Sequence, residues 1–247
     1  MIILVGGEKG GSGKSCLAQN LAVYLATDCR LSVMLVDCDP QRTSASWIQA
    51  RNEQPELTKI HCVQMFGKIR DDLLSLNNHY EAVVIDCGGQ DTVALRAALS
   101  VTHFALLPLR PKRRDLQTVP HMEDLLSNGM MFNPKLDAAF VLTQCPSLPN
   151  QVSRILDAKE VCQSWGLRVL EGITFQRNIY DDSEESGCSV LELEPEGKAA
   201  RELRQIYNQL LRQENHRAIE ITYAHSAAQL EREQHALSGS QAASFRH

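Results

Sequence analysis

Ile2-Ile3-Leu4-Val5-Gly6-Gly7-Glu8-Lys9-Gly10-Gly11-Ser12-Gly13-Lys14-Ser15 opens the chain as an apolar run that passes into a glycine-rich turn. The pattern predicts a buried strand over 2 to 5, a phosphate-cradling loop, and a helix from the loop's end. Gly10, Gly11 and Gly13 let the backbone curl, so that successive N–H groups and the helix N-terminus face one anion. Lys14 is spaced to reach the outer phosphates and the Ser15 hydroxyl to hold Mg²⁺. The candidate binding run is therefore Lys9, Gly10, Gly11, Ser12, Gly13, Lys14, Ser15 and Cys16, and a nucleoside triphosphate is the expected ligand.

Two more apolar runs end in carboxylates. Ser32-Val33-Met34-Leu35-Val36 leads into Asp37-Cys38-Asp39-Pro40-Gln41, and Glu81-Ala82-Val83-Val84-Ile85 leads into Asp86-Cys87-Gly88-Gly89. Both read as strands of a buried parallel sheet. A single aspartate after a strand often only caps the next helix. Two such ends following a phosphate loop in order make a phosphoryl-transfer site, with Asp86 contacting Mg²⁺ through water and the glycines after it permitting a switch.

The loop departs from G-x-x-x-x-G-K-S, because Glu8 takes the place of the first glycine and an extra lysine, Lys9, precedes Lys14 by five residues. In this form it resembles the deviant Walker A loop of the ParA/MinD family of ATPases. The resemblance implies that Lys9 crosses a dimer interface to the partner's nucleotide; the alternative is a solvated lysine beside a P-loop. Asp37-Cys38-Asp39-Pro40-Gln41 resembles the family's second acidic motif, which implies that Asp39 orients the attacking water and that Asp37 supports the metal and the switch. By the same resemblance Lys9, Lys14 and Asp39 are the catalytic set, Ser15, Asp37 and Asp86 hold Mg²⁺, and Asp37 and Gly88 border the nucleotide, ATP or ADP. The run from His103 through Pro108, Arg110 and Pro111 to Asp115-Leu116 looks like the family's strand, proline turn and helix. Ile173 to Tyr180 with Arg177, then Gly187, Val190 and Glu192, are similar to the late segment of short ParA-type partition ATPases. Arg110 is open to three readings: interface, nucleotide, or brace of a turn.

The chain has 247 residues, 43% hydrophobic and 22% charged, enough to bury one sizeable core. Strands are predicted over 2–5, 32–37, 60–64, 82–86, 103–108, 138–143 and 168–173, and helices over 15–26, 42–52 and 152–165. The expected fold is α/β: a mostly parallel sheet with helices on both faces, in the P-loop NTPase class. The expected ATPase domain covers 1–213. Residues 214–247 read as a polar tail, partly disordered or a weak helix. Eight cysteines lie at 16, 29, 38, 62, 87, 145, 162 and 188 without a C-x-x-C pair, so neither a zinc site nor a disulfide framework is expected. No run approaches the roughly 20 apolar residues of a spanning helix and no signal peptide is visible, which points to the cytoplasm.

The family resemblance implies an ATP-dependent homodimer that binds double-stranded DNA without sequence preference, associates with the nucleoid, and is reset when an adaptor stimulates hydrolysis. The adaptor would be ParB-like or another centromere- or cargo-binding protein. Lys112, Arg113 and Arg114, with Arg177, are the candidate DNA contacts, and Arg154, Lys159, Lys198, Arg201 and Arg204 join them if they share a face. With a net charge of −5 and pI near 5.9, such binding must be local. A start so close to the first strand leaves no room for an N-terminal helix-turn-helix domain. Three alternatives are a MinD-like membrane-associated ATPase, a relay factor in conjugative DNA transfer, and a small-molecule ligase of the same superfamily. The tail has few basic or large apolar residues, and Glu231 and Glu233 repel anionic lipid, which argues against membrane docking.

Overall fold

The computed structural model describes residues 1–89 and 92–211 of the chain. The tail over 214–247 lies outside the described residues. By internal contacts the chain divides into Met1–Leu210 and Leu211–His247, and the first unit is described by itself.

Among the described residues, six strands form one sheet: β1 (Ile2–Val5), β2 (Val33–Asp37), β3 (His61–Gln64), β4 (Ala82–Asp86), β5 (Phe104–Leu109) and β6 (Asp137–Leu142). Every pairing is parallel and the spatial order is β3-β2-β4-β1-β5-β6. Such pairing needs crossovers, and helices supply them. They are α1 (Lys14–Thr27), α2 (Thr43–Glu53), α3 (Arg70–His79), α4 (Val93–Leu99), α5 (Arg113–Leu116), α6 (Val119–Phe132), α7 (Val152–Ser164), α8 (Ile179–Glu185), α9 (Val190–Leu193) and α10, residues 198–211. All residues of β1, β2, β4 and β5 are buried, as expected of strands covered on both faces.

One expected strand takes another form. Residues 168–175 run beside β6, but only as bridges at Val169 and Phe175. Leu170 N–H donates to the Phe140 carbonyl at 2.8 Å and Thr174 N–H to the Leu142 carbonyl at 3.0 Å. Between them, the Gly172 N–H donates instead to Gln209 Oε1 of α10 at 2.8 Å, which takes one rung out of the ladder. The other strands and the three named helices lie within a residue or two of their expected ranges.

The direction of the chain decides where a ligand goes. From β1 at the centre it runs outward through β2 and β3, returns to β4, and then crosses to β5 and β6 on the opposite side. A sheet wound both ways from its middle opens a crevice at the carboxyl ends of its central strands. The loops after β1, β2 and β4, where the sequence motifs lie, all leave from that edge.

Candidate nucleotide-binding site

Gly13 caps α1 in the left-handed conformation (φ 85°), and Gly11 is also left-handed (φ 72°), so the loop bends as an L-residue with a Cβ rarely does. No side chain caps α1, so the first turn of N–H groups remains available to an anion. The loop is braced from outside: Thr143 Oγ1 donates to the Ser12 carbonyl at 2.8 Å, Gln144 Nε2 to the Gly11 carbonyl at 2.9 Å, and Arg110 Nη2 to the Gly10 carbonyl at 3.3 Å. Arg110 is held in turn by the buried Asp115, Nε to Oδ2 at 2.6 Å and Nη2 to Oδ1 at 3.1 Å. It braces the loop against the start of α5.

The loop forms one wall of a cleft of about 900 Å³. Gly10, Gly11, Gly13, Lys14, Ser15 and Cys16 line it on one side, Cys38 to Gln41 and Gly88 on another, and Thr174 to Arg177 with Tyr180, Asp181 and Glu184 on a third. Six of the sequence-selected residues of the loop, together with Asp39 and Gly88, thus meet in one concavity. Lys14 is buried, and its Nζ donates to the Lys9 carbonyl at 2.6 Å, bridging the ends of the loop. Burial lowers its pKa, and Asp86 and Asp39 oppose that shift.

The two acidic strand ends differ. Asp37 and Asp86 are partners in the β2–β4 register, and both are buried. Asp37 Oδ1 accepts the Asp39 N–H at 2.9 Å and its Oδ2 the Ala45 N–H at 2.8 Å, so both oxygens serve the loop that turns into α2. Asp86 Oδ2 accepts the Ser44 hydroxyl at 2.7 Å, while Oδ1 is buried without a hydrogen-bond partner. Burial pushes the Asp86 pKa up to about 6, against the pull of the Ser44 and Ser15 hydroxyls and with Asp37 adding to the rise. An uncompensated carboxylate oxygen beside Ser15 is the donor chemistry that a hard divalent cation takes. The residues present therefore fit Mg²⁺.

Asp39 lies over Gly88, where a Cβ would stand 2.9 Å from Asp39 Oδ2. Only a glycine lets the β2 loop and the β4 loop approach so closely. Lys9 is half-buried and absent from the described lining of the cleft, and its ammonium has no partner among the described residues. Glu8 is paired with His121 Nδ1 of α6 at 2.9 Å.

The basic residues expected to act together are separated. Lys112, Arg113 and Arg114 are exposed at the start of α5, and Arg154 of α7 shares a shallow groove with the first two. Arg177 is instead in the wall of the cleft, paired with Glu202 of α10 and stacked 5.6 Å from the Phe175 ring. Lys159 is paired with Glu171, and Arg204 with Asp28.

Sequence reasoning missed Ser44, Gln144, Thr143 and the buried Arg51. Arg51 of α2 is bidentate to Glu192 at 2.7 and 2.8 Å and donates to the Gly187 carbonyl at 3.2 Å, tying α2 to the segment before α9. Ser44 could have been found from its place directly behind the Asp37–Gln41 motif. Thr143 and Gln144 carried only the weaker signal of standing at the end of a predicted strand. No helix among the described residues is long and apolar enough to cross a membrane.

Comparison with known proteins agrees with this geometry. A carboxysome-distribution maintenance protein A from Halothiobacillus neapolitanus is 28% identical over 216 residues, covering 85% of this chain and 95% of that protein. Among solved structures, apo McdA of Cyanothece has a TM-score of 0.68 at 13% identity, covering 85% of this chain and 98% of that one. A putative plasmid partition protein of Borrelia burgdorferi bound to AMPPNP has a TM-score of 0.65 at 16% identity, covering 86% and 98%. At those identities the solved structures establish the shared fold. The CobQ/CobB/MinD/ParA nucleotide binding domain matches residues 3–215, and the chain belongs to that family.

Proposed function

We propose that this chain is a positioning ATPase of the ParA/MinD type, which dimerises with ATP and Mg²⁺, binds double-stranded DNA without sequence preference in that state, and is released when an adaptor protein stimulates hydrolysis. The observation that carries the reading is Lys9, standing at the loop but outside its own cleft with an ammonium unpartnered among the described residues. A lysine so placed is free to reach the nucleotide of a second copy, as the family resemblance implies.

Within one chain the loop N–H groups and Lys14 would hold the phosphates, and Ser15 and the free oxygen of Asp86 would hold Mg²⁺, which would neutralise charge on the phosphates. Asp37 holds the β2 loop through its two backbone bonds, and so fixes Asp39 over Gly88 where it can orient water. Phosphoryl transfer to water needs little covalent help, so positioning of this kind supplies most of the catalysis and the intrinsic rate is slow.

Lys112, Arg113 and Arg114, with Arg154 beside them, form the surface that would meet DNA phosphates. Arg177, held by Glu202 at the cleft wall, serves the nucleotide side in this reading. The adaptor sets the cargo, whether plasmid, chromosome or a protein body, and the protein would work on the nucleoid.

The test is binding to random-sequence duplex DNA with ATP, ADP or no nucleotide at two salt concentrations, for the wild type and Lys9→Ala. ATP-dependent, salt-sensitive binding that Lys9→Ala abolishes is expected. ATP-driven dimerisation without DNA binding would turn the search to membrane or protein scaffolds.

A further inference from the structure

Two cysteines directly follow the acidic strand ends of this site, Cys38 after Asp37 and Cys87 after Asp86, and the pleat of the sheet sets them side by side. Met34, Val36 and Cys38 at one strand end and Val83, Ile85 and Cys87 at the next alternate onto the same face, where all six join one apolar cluster. The register pairs Met34 with Val83 and Val36 with Ile85, so one further pleat brings Cys38 opposite Cys87. The chains are still paired at that level, because the Cys38 N–H donates to the Asp86 carbonyl at 2.9 Å. Each thiol is the largest influence on the other's pKa, raising that of Cys38 and lowering that of Cys87. Neighbouring strands lie about 4.8 Å apart, inside the roughly 4.4–6.8 Å between Cα atoms that a disulfide spans.

Access is one-sided. Cys38, 5% exposed, borders the cleft, whereas Cys87 is fully buried. A reagent small enough to enter the cleft meets Cys38 first and finds Cys87 behind it.

We propose that Cys38 and Cys87 form a reversible intrachain disulfide that fastens the end of β2 to the end of β4, made by exchange with a small disulfide that enters the cleft when it holds no nucleotide. Cys38 Sγ, giving up its proton, attacks one sulfur of the small disulfide and expels one thiolate, leaving a mixed disulfide. Cys87 Sγ, giving up its own proton, then attacks Cys38 Sγ and expels the second thiolate. Two protein thiols are oxidised to one disulfide, and the small disulfide is reduced to two thiols with the protons lost by the cysteines. The bond would tie the backbone between Asp37 and Asp39 to the backbone between Asp86 and Gly88. Asp39 could then no longer move relative to Gly88, and hydrolysis would stop. Protection by nucleotide rests on the proposed function; formation of the bond does not.

The experiment exposes the full nucleotide-free chain to 2-hydroxyethyl disulfide, blocks remaining thiols, and maps the peptides by mass. The expected product is a peptide pair joined through Cys38 and Cys87, two hydrogens lighter than its reduced parts and separated by dithiothreitol. ATP hydrolysis should be lost in step with cross-linking and return on reduction. Cys38→Ala should keep its own untreated rate under the same reagent, and Cys87→Ser should stop at a Cys38 mixed disulfide without the joined pair. A Cys38 mixed disulfide that never passes to Cys87, or modification confined to other cysteines, overturns the proposal. Cross-linking at an unchanged rate in saturating ATP and Mg²⁺, with nucleotide binding measured separately, overturns the gated access.

Discussion

The ends of β2 and β4 are the same residue type at the same level of the same sheet, yet they are used differently. Asp37 engages both carboxylate oxygens with the Asp39 and Ala45 N–H groups, whereas Asp86 engages one with Ser44 and leaves the other bare. The difference lies in the loop after each strand. The β2 loop turns back within reach of its own aspartate and makes it a capping group. The β4 loop runs on through Gly88 and Gly89 and offers its aspartate no backbone donor among the described residues. A buried carboxylate with every lone pair engaged holds a fold together, and one left short is held ready for a cation.

The contrast is broken most severely at Asp37. Asp37→Ala orphans two part-buried N–H groups, at about 1–3 kcal/mol each, so a loss on the order of 4 kcal/mol is expected in chemical denaturation. Asp86→Ala should show no such loss near neutral pH, because it removes a desolvated charge, while Mg²⁺-dependent nucleotide binding disappears. Equal destabilisation by the two would erase the distinction.

The next effect is a pH dependence produced by Asp86. Its folded pKa, about 6, lies above its ordinary 3.8. The unfolded chain therefore gives up this proton first on raising the pH. The stability that the protonated form contributes is complete below 3.8 and is lost as the pH rises through about 6. The change is on the order of 3 kcal/mol. Thermal unfolding of the nucleotide-free protein across this window should show the fall in the wild type, and Asp86→Asn should lack that component.

The smallest effect lies where the two loops touch. Gly88→Ala would set a methyl group 2.9 Å from the present place of Asp39 Oδ2, so the carboxylate must shift. A stability cost of about 1 kcal/mol is expected, with a larger fractional fall in ATP hydrolysis than in ATP binding. Binding and hydrolysis falling in proportion would show that Asp39 does not need its position over Gly88.

Much of the fold was legible because its signals are local. Short apolar runs such as Ile2–Val5 and 82–85, rich in β-branched residues, read as central strands, and the glycines with Lys14-Ser15 identify the loop without help from the rest of the chain. The 168–173 strand was less legible, because the group that takes its rung, Gln209, lies far along the chain. The Arg177 pairing with Glu202 of α10 was hidden for the same reason. A run of basic residues in sequence says nothing about which acidic neighbours the fold will bring.

Periodicity and turn chemistry act over a few neighbours, so the parallel sheet, the phosphate loop and the carboxylates at the strand ends could be read from the order of amino acids. How those residues are divided was settled by packing. It left Asp86 one oxygen short while satisfying Asp37, set Cys38 against Cys87, and braced the loop with Thr143, Gln144 and Arg110. Hydrogen-bond satisfaction and close approach depend on which distant backbone arrives at each strand end, and only the packed chain fixes that.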